Sequence, residues 1–120
     1  MNYISEINSF YDWLIFNCLP ADAQVLWHVL LYINNKCAIN INDKWYWRVE
    51  FTVPNSTLIS LAGFSQSQLD RMRKVLIKSG RIIYIKGKRN QCGKYKIIPF
   101  DNSMTESYVD NFPDKVWDNF

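Results

Sequence analysis

The chain has 120 residues, 48% of them apolar and 16% aromatic, with a net charge of +3. That is the length of one ordinary domain. It is long enough to bury a core without metal or disulfide staples, and too apolar for a disordered chain. No apolar run approaches the roughly 20 residues of a membrane span, and the start Met-Asn-Tyr-Ile-Ser-Glu lacks the basic-then-apolar layout of a secretory signal, so the expected location is the cytoplasm of a cell or an infected host.

In chain order, Ser9 is expected to cap a first helix, with Asp12 in its first turn where the helix dipole favours an acid. Phe10, Trp13, Leu14 and Phe16 supply its apolar side, and Pro20 ends it. A second helix is expected from Ala21-Asp22 to about Asn35. Leu26, Val29, Leu30 and Ile33 form one face at helical spacing, and Trp27 and Leu31 fall on another. A helix apolar on more than one side is either wrapped by core or set at a subunit interface. Phe10, Trp13, Trp27 and Leu31 are therefore the candidate oligomer contacts, and a homodimer is expected.

Residues 34–44 read as a polar loop with a short strand at Ala38-Ile39, and Arg48 to Val53 alternates as a half-buried strand that Pro54 stops. Trp45, Tyr46 and Trp47 are either core or dimer contacts, or bases stack on them. Asn55 is the expected N-cap of a short helix through Leu58, Ile59 and Leu61, which Gly63 ends. Ser65 with Gln68 has the spacing of a capping box for a longer helix that runs to Ser79 and stops at Gly80. A short helix, a three-residue turn and a longer helix make a helix-turn-helix. Two strands, 81–86 and 94–98, flank a polar loop closed by Gly87 and Gly93, which predicts a hairpin. The order predicts an α+β fold: a winged helix-turn-helix with an additional N-terminal helix. Residues 1–100 form this domain. Residues 101–120 form an acidic, aromatic tail that either packs on the domain or is a severed linker.

Charge distribution points to the chemistry. Residues 1–43 hold one lysine against four acids, and residues 101–120 one lysine against five acids. Residues 71–100 hold ten Lys and Arg and no acid. On a helical wheel Leu69, Met72 and Leu76 gather on one side. Ser67, Arg71, Lys74 and Lys78 gather on the other as a straight stripe. In a helix-turn-helix the second helix enters the major groove with its N-terminal residues at the base edges. That places Gln66, Ser67, Asp70 and Arg71 nearest the bases, since Gln pairs with adenine and Arg with guanine. Lys74 and Lys78 reach phosphates, as do Lys86, Lys88, Arg89, Lys94 and Lys96 of the hairpin. Asn55 and Ser56 either hold a phosphate at a helix start or simply cap it. A solvated basic surface is the plain alternative for each.

Other chemistry finds no support. Cys18, Cys37 and Cys92 are scattered; the first two read as buried thiols and Cys92 as an exposed bystander. The lone His28 has no companions for a zinc site and reads as a surface or interface residue. The glycines sit at turns and form no phosphate loop. No catalytic residue, cofactor or metal is expected, and the protein is not expected to be an enzyme.

Several stretches carry a family likeness: Phe10-Tyr11-Asp12-Trp13-Leu14, Leu26-Trp27-His28, Ile33-Asn34-Asn35-Lys36, Phe51-Thr52-Val53, Asn55-Ser56, Ser67 with Asp70-Arg71, Gly80-Arg81-Ile82, and Gly93 through Phe100. Spread over residues 9–100, they resemble the N-terminal winged-helix domain of DnaD-like replication initiation proteins of Gram-positive bacteria and their phages. The resemblance implies a replisome organiser or primosome component that binds double-stranded DNA at an origin, self-associates, and helps recruit the replicative helicase with its loader. The family's second, helical domain is missing here, which puts helicase recruitment in doubt for this chain alone. A protein-interaction scaffold and a sequence-specific transcription regulator are the rival readings of the same residues.

Overall fold

The computed structural model describes residues 3–100 and the backbone of Tyr108–Val109. Helix α1 spans Tyr3–Leu14 and α2 Ala21–Lys36. The first helix begins a turn and a half before Ser9, so Ser9 is interior and caps nothing, and Asp12 sits in the last turn. Its inward row is Tyr3, Glu6, Ile7, Phe10, Trp13 and Leu14, one stripe at helical spacing. The helix stops at Leu14, well before Pro20. Asn17 Nδ2 donates to the Trp13 carbonyl at 2.9 Å, answering one of the open carbonyls of the last turn. Pro20 instead precedes α2, and its carbonyl accepts the Gln24 N–H at 3.1 Å.

α2 is the central element. Ala23, Leu26, Trp27, Leu30, Leu31, Ile33 and Asn34 are all fully buried. Of the two expectations for a helix apolar on more than one side, wrapping by core is the outcome. Phe10 stacks on Trp27 with ring centroids 3.8 Å apart and planes 8° from parallel. Phe10, Trp27 and Leu31 are 0% exposed. The interface assignment is therefore corrected for these three: their surface is spent inside the chain's own core. Trp13 is half-buried against Phe100 and Arg81. Cys37 is buried as expected, whereas Cys18, in the α1–α2 connection, is exposed and Cys92 is half-buried.

Strands β1 (Ile39–Ile41) and β2 (Lys44–Arg48) form an antiparallel hairpin around Asn42 and Asp43. Both turn residues have positive φ, 51° and 66°, the backbone that a two-residue turn between twisted strands requires. Trp47 is fully buried in the core and Trp45 is exposed. The backbone of Tyr108–Val109 pairs in parallel with Trp47–Arg48; the rest of the tail 101–120 lies outside the described residues. The strand expected over Arg48–Val53 is divided, bending at Val49 and Glu50 before β3 (Phe51–Thr52).

α3 (Asn55–Ala62) and α4 (Gln66–Lys78) follow, joined by residues 63–65. Gly63 takes the left-handed conformation, φ 72°, and its N–H reaches the Ile59 carbonyl, a C-terminal stop that glycine adopts without steric cost. Asn55 is the first residue of α3 rather than its cap; Pro54 holds that position. β4 (Ile82–Ile85) and β5 (Lys94–Ile97) pair antiparallel, with Tyr84 opposite Tyr95, and β3 adds to the far side of β5. The result is α+β: four helices, with a β1–β2–β6 sheet (β6 being Tyr108–Val109) and a β3–β5–β4 sheet among the described residues.

Candidate nucleic-acid interface

Helix α4 is positioned by its two ends and one buried row. Ser65 Oγ accepts the Gln68 N–H at 3.2 Å, as a capping residue should. The return half of the capping box is absent: Gln68 Nε2 donates instead to Asp22 Oδ2 at 2.7 Å, tying the start of α4 to the start of α2. Leu69, Met72 and Leu76 are buried in the common core. Ser67, Arg71, Lys74 and Lys78 are all exposed, so the stripe expected from the wheel faces solvent along the whole helix.

Between these rows runs a third, Gln66, Asp70, Arg73 and Ile77. With Lys74 it lines one wall of a cleft of about 500 Å³; Tyr84 and Lys86 of the hairpin line the other, and Asn55 closes the end. Gln66 and Asp70 are thus turned toward the hairpin more than along the stripe. Asp70 Oδ1 accepts from Gln66 Nε2 at 3.1 Å and lies 3.6 Å from Arg73 Nη1. A second cavity, about 330 Å³, continues past Tyr84 and Lys86 into the hairpin loop and is lined by Gly87, Asn90 and Gln91.

The five hairpin cations divide by sheet face. Side chains alternate across a strand. Ile82, Tyr84, Tyr95 and Ile97 point toward the helices, and Ile83, Ile85, Lys94 and Lys96 to the outer side. Lys86 borders the α4 cleft, and Lys88 and Arg89 are exposed at the loop tip. A turn shapes this tip: the Gln91 N–H meets the Lys88 carbonyl at 2.8 Å, and Asn90 has φ 58°. Lys94 and Lys96 stand on the sheet face away from α4, so the structure does not bring them to the helix stripe.

Two arginines of the basic block are packed against neighbouring elements instead of joining the exposed stripe. Arg81 lies 4.0 Å from the Phe100 ring centroid and 5.2 Å from that of Trp13, and Nη1 donates to the Ile98 carbonyl at 3.4 Å. Beside it the buried Glu6 carboxylate accepts the Phe100 N–H at 3.2 Å, fastening α1 to the end of the hairpin. Arg73 is 7% exposed, a functional candidate that charge counting along the chain does not reveal. Its signal is positional: on the wheel it falls between the apolar row and the basic stripe.

His28 is half-buried on the outer side of α2, its Nε2 3.2 Å from Tyr11 Oη. Burial lowers its pKa below the ordinary 6.5, since desolvation penalises the charged imidazolium. Tyr11 of α1, Ile15 just past its end, and Val25 and Tyr32 of α2 are exposed. No group of three or more His, Cys, Asp or Glu able to hold a metal ion occurs among the described residues. None of the described helices is long and apolar enough to cross a membrane.

The fold is similar to a chain in the solved structure of a Rep–DNA complex, with a TM-score of 0.52 and 17% sequence identity over 78% of each chain. At that identity the likeness speaks to the fold. No family model matches the chain, and no curated relative matches it.

Proposed function

We propose that this chain is a non-enzymatic, winged-helix DNA-binding domain acting in replication initiation. α4 is its recognition helix and the loop between β4 and β5 its wing. One observation carries the reading: Lys74 of α4 and Lys86 of the hairpin border the same cleft, with exposed cations continuing on both elements, Arg71 and Lys78 along α4 and Lys88 and Arg89 at the loop tip. Two separated basic elements on one side of a rigid core match a duplex, whose phosphates attract cations from both sides of a groove. The similarity in fold to a chain of a Rep–DNA complex supports the reading. Gln66, Ser67, Asp70 and Arg71 meet base edges at the N-terminal end of α4; Lys74, Lys78 and the loop cations meet phosphates. Lys94 and Lys96, on the opposite sheet face, take no part. The finer role, by resemblance, is that of a DnaD-like replisome organiser, with the replicative helicase or its loader as partner. The wheel of α4 and the shared cleft equally suit a regulator of transcription, and the DNA site separates the two.

A scaffold function has its own observation. Ile4 and Tyr11 on α1, Ile15 just past its end, and Val25 and Tyr32 on α2 are exposed large apolar residues, and exposed apolar patches mark association surfaces. Self-association in this reading uses these residues in place of Phe10, Trp27 and Leu31, which are 0% exposed.

Amide NMR during titration with a duplex tests the proposal. Shifts are expected at residues 66–78 and 86–93. Shifts confined to α1 and α2, or none at low salt, overturn it.

A further inference from the structure

Arg73 joins three elements at the floor of the cleft. Its Nη2 donates to Asn55 Oδ1 of α3 at 2.7 Å. Its guanidinium carbon lies 4.3 Å from the Tyr84 ring centroid and 5.7 Å from that of Tyr95, one on each strand of the hairpin. The two rings are in contact with centroids 4.8 Å apart and planes tilted by 44°. Tyr84 in turn rests on Gly93, where an added Cβ would come within 2.4 Å of its ring. The hairpin therefore meets α4 through one packed cluster: guanidinium, two tyrosines and a bare glycine backbone. Burying a cation here is costly, and a well-packed apolar side chain would serve stability as well or better. What the guanidinium adds is direction: a planar face for the rings and a fixed fork for Asn55 and Asp70.

We infer that Arg73 is a positioning residue that fixes the angle between α4 and the β4–β5 hairpin. By doing so it sets where Lys86, Lys88 and Arg89 stand relative to Arg71, Lys74 and Lys78. The consequence for DNA rests on the proposed function; the geometric claim does not. Arg73→Lys keeps the charge and the stem but loses the planar face and the fork. Tyr84→Leu keeps Arg73 and removes the ring.

The test uses the full chain and two readouts. Amide residual dipolar couplings report orientation without DNA. In the unaltered protein α4 and the hairpin fit one alignment tensor. In both variants the hairpin couplings are expected to shrink relative to those of α4. Duplex binding across a salt series is the second readout. Both variants are expected to lose up to about three units of salt slope, the share of the three hairpin cations at roughly 0.9 unit each, and Lys86→Ala/Lys88→Ala/Arg89→Ala is expected to add nothing further in the Arg73→Lys background. A purely structural role lowers the melting temperature but leaves the tensor fit and the slope unchanged, and that result overturns the inference. If the unaltered protein binds no duplex while the couplings respond, the positioning role stands and the DNA reading falls. If it binds and the couplings do not respond, the reverse holds.

Discussion

Replacing the three loop cations together, as Lys86→Ala/Lys88→Ala/Arg89→Ala, isolates the hairpin's share of the proposed interface. All three are exposed and none belongs to the buried core, so the fold is expected to keep its stability. Each phosphate neutralised releases condensed counterions and contributes about 0.9 to the slope of log K against log salt; three contacts contribute about 2.7. Between about 50 and 200 mM salt each contact thus changes the affinity ratio roughly 3.5-fold, and three change it roughly 40-fold. The variant is expected to show a slope flatter by about that amount, read by fluorescence anisotropy of a labelled duplex. Lys94→Ala/Lys96→Ala is the internal control. It removes cations of the same hairpin, but from β5, on the sheet face turned away from α4. Its slope is expected to match the unaltered protein. Equal losses from both sets would mean a diffuse charge effect with no defined surface, and would refute the reasoning.

Trp27→Ala is expected to destabilise the protein by about 3–5 kcal/mol, since a fully buried ring stacked on Phe10 leaves a large cavity; an unchanged urea midpoint with altered sedimentation would return Trp27 to an interface. His28→Gln bears on pH. With its folded pKa lowered, the unfolded chain binds the proton more readily, so His28 favours folding above its ordinary value of 6.5 and that contribution falls away as pH drops through it. Urea midpoints of the unaltered protein are expected to fall between pH 7 and pH 5 more steeply than those of His28→Gln; parallel curves would contradict the assignment. Gly63→Ala is expected to cost roughly 1–2 kcal/mol although nothing lies within 4 Å, because the strain comes from φ +72° alone; thermal unfolding checks it.

The parts of this fold legible in sequence are those set by local chemistry. Ser65, Gly63 and the 3.6-residue rhythm of Leu69, Met72 and Leu76 place α4 and its basic stripe without tertiary information. The β4–β5 hairpin followed from two isoleucine-containing runs and the glycines that close the polar loop between them. The start of α1 did not, because Ser9 has cap chemistry while the residue that anchors the helix, Glu6, finds its partner at Phe100, 94 positions away. The β1–β2 hairpin was hidden because Asn42-Asp43 lacks the glycine that usually marks such a turn. Trp27 and Leu31 have the same pattern in a wrapped helix as in a dimer seam, and only the packing of α3, α4 and β2 around α2 separates the two. Charge counting likewise treated Arg73 and Arg81 as members of a basic block. Their neighbours on other elements, Tyr84, Tyr95 and Asn55 for one, Phe100 and Trp13 for the other, hold them within the fold and out of the exposed stripe.

The central claim is that α4 and the loop hold one duplex together. Anisotropy of a labelled duplex titrated with the unaltered protein across a salt series tests it most directly. Six exposed cations, Arg71, Lys74, Lys78, Lys86, Lys88 and Arg89, predict a log–log slope of roughly −5 if each meets a phosphate. Binding too weak to detect at about 50 mM salt, or binding indifferent to salt, would contradict it.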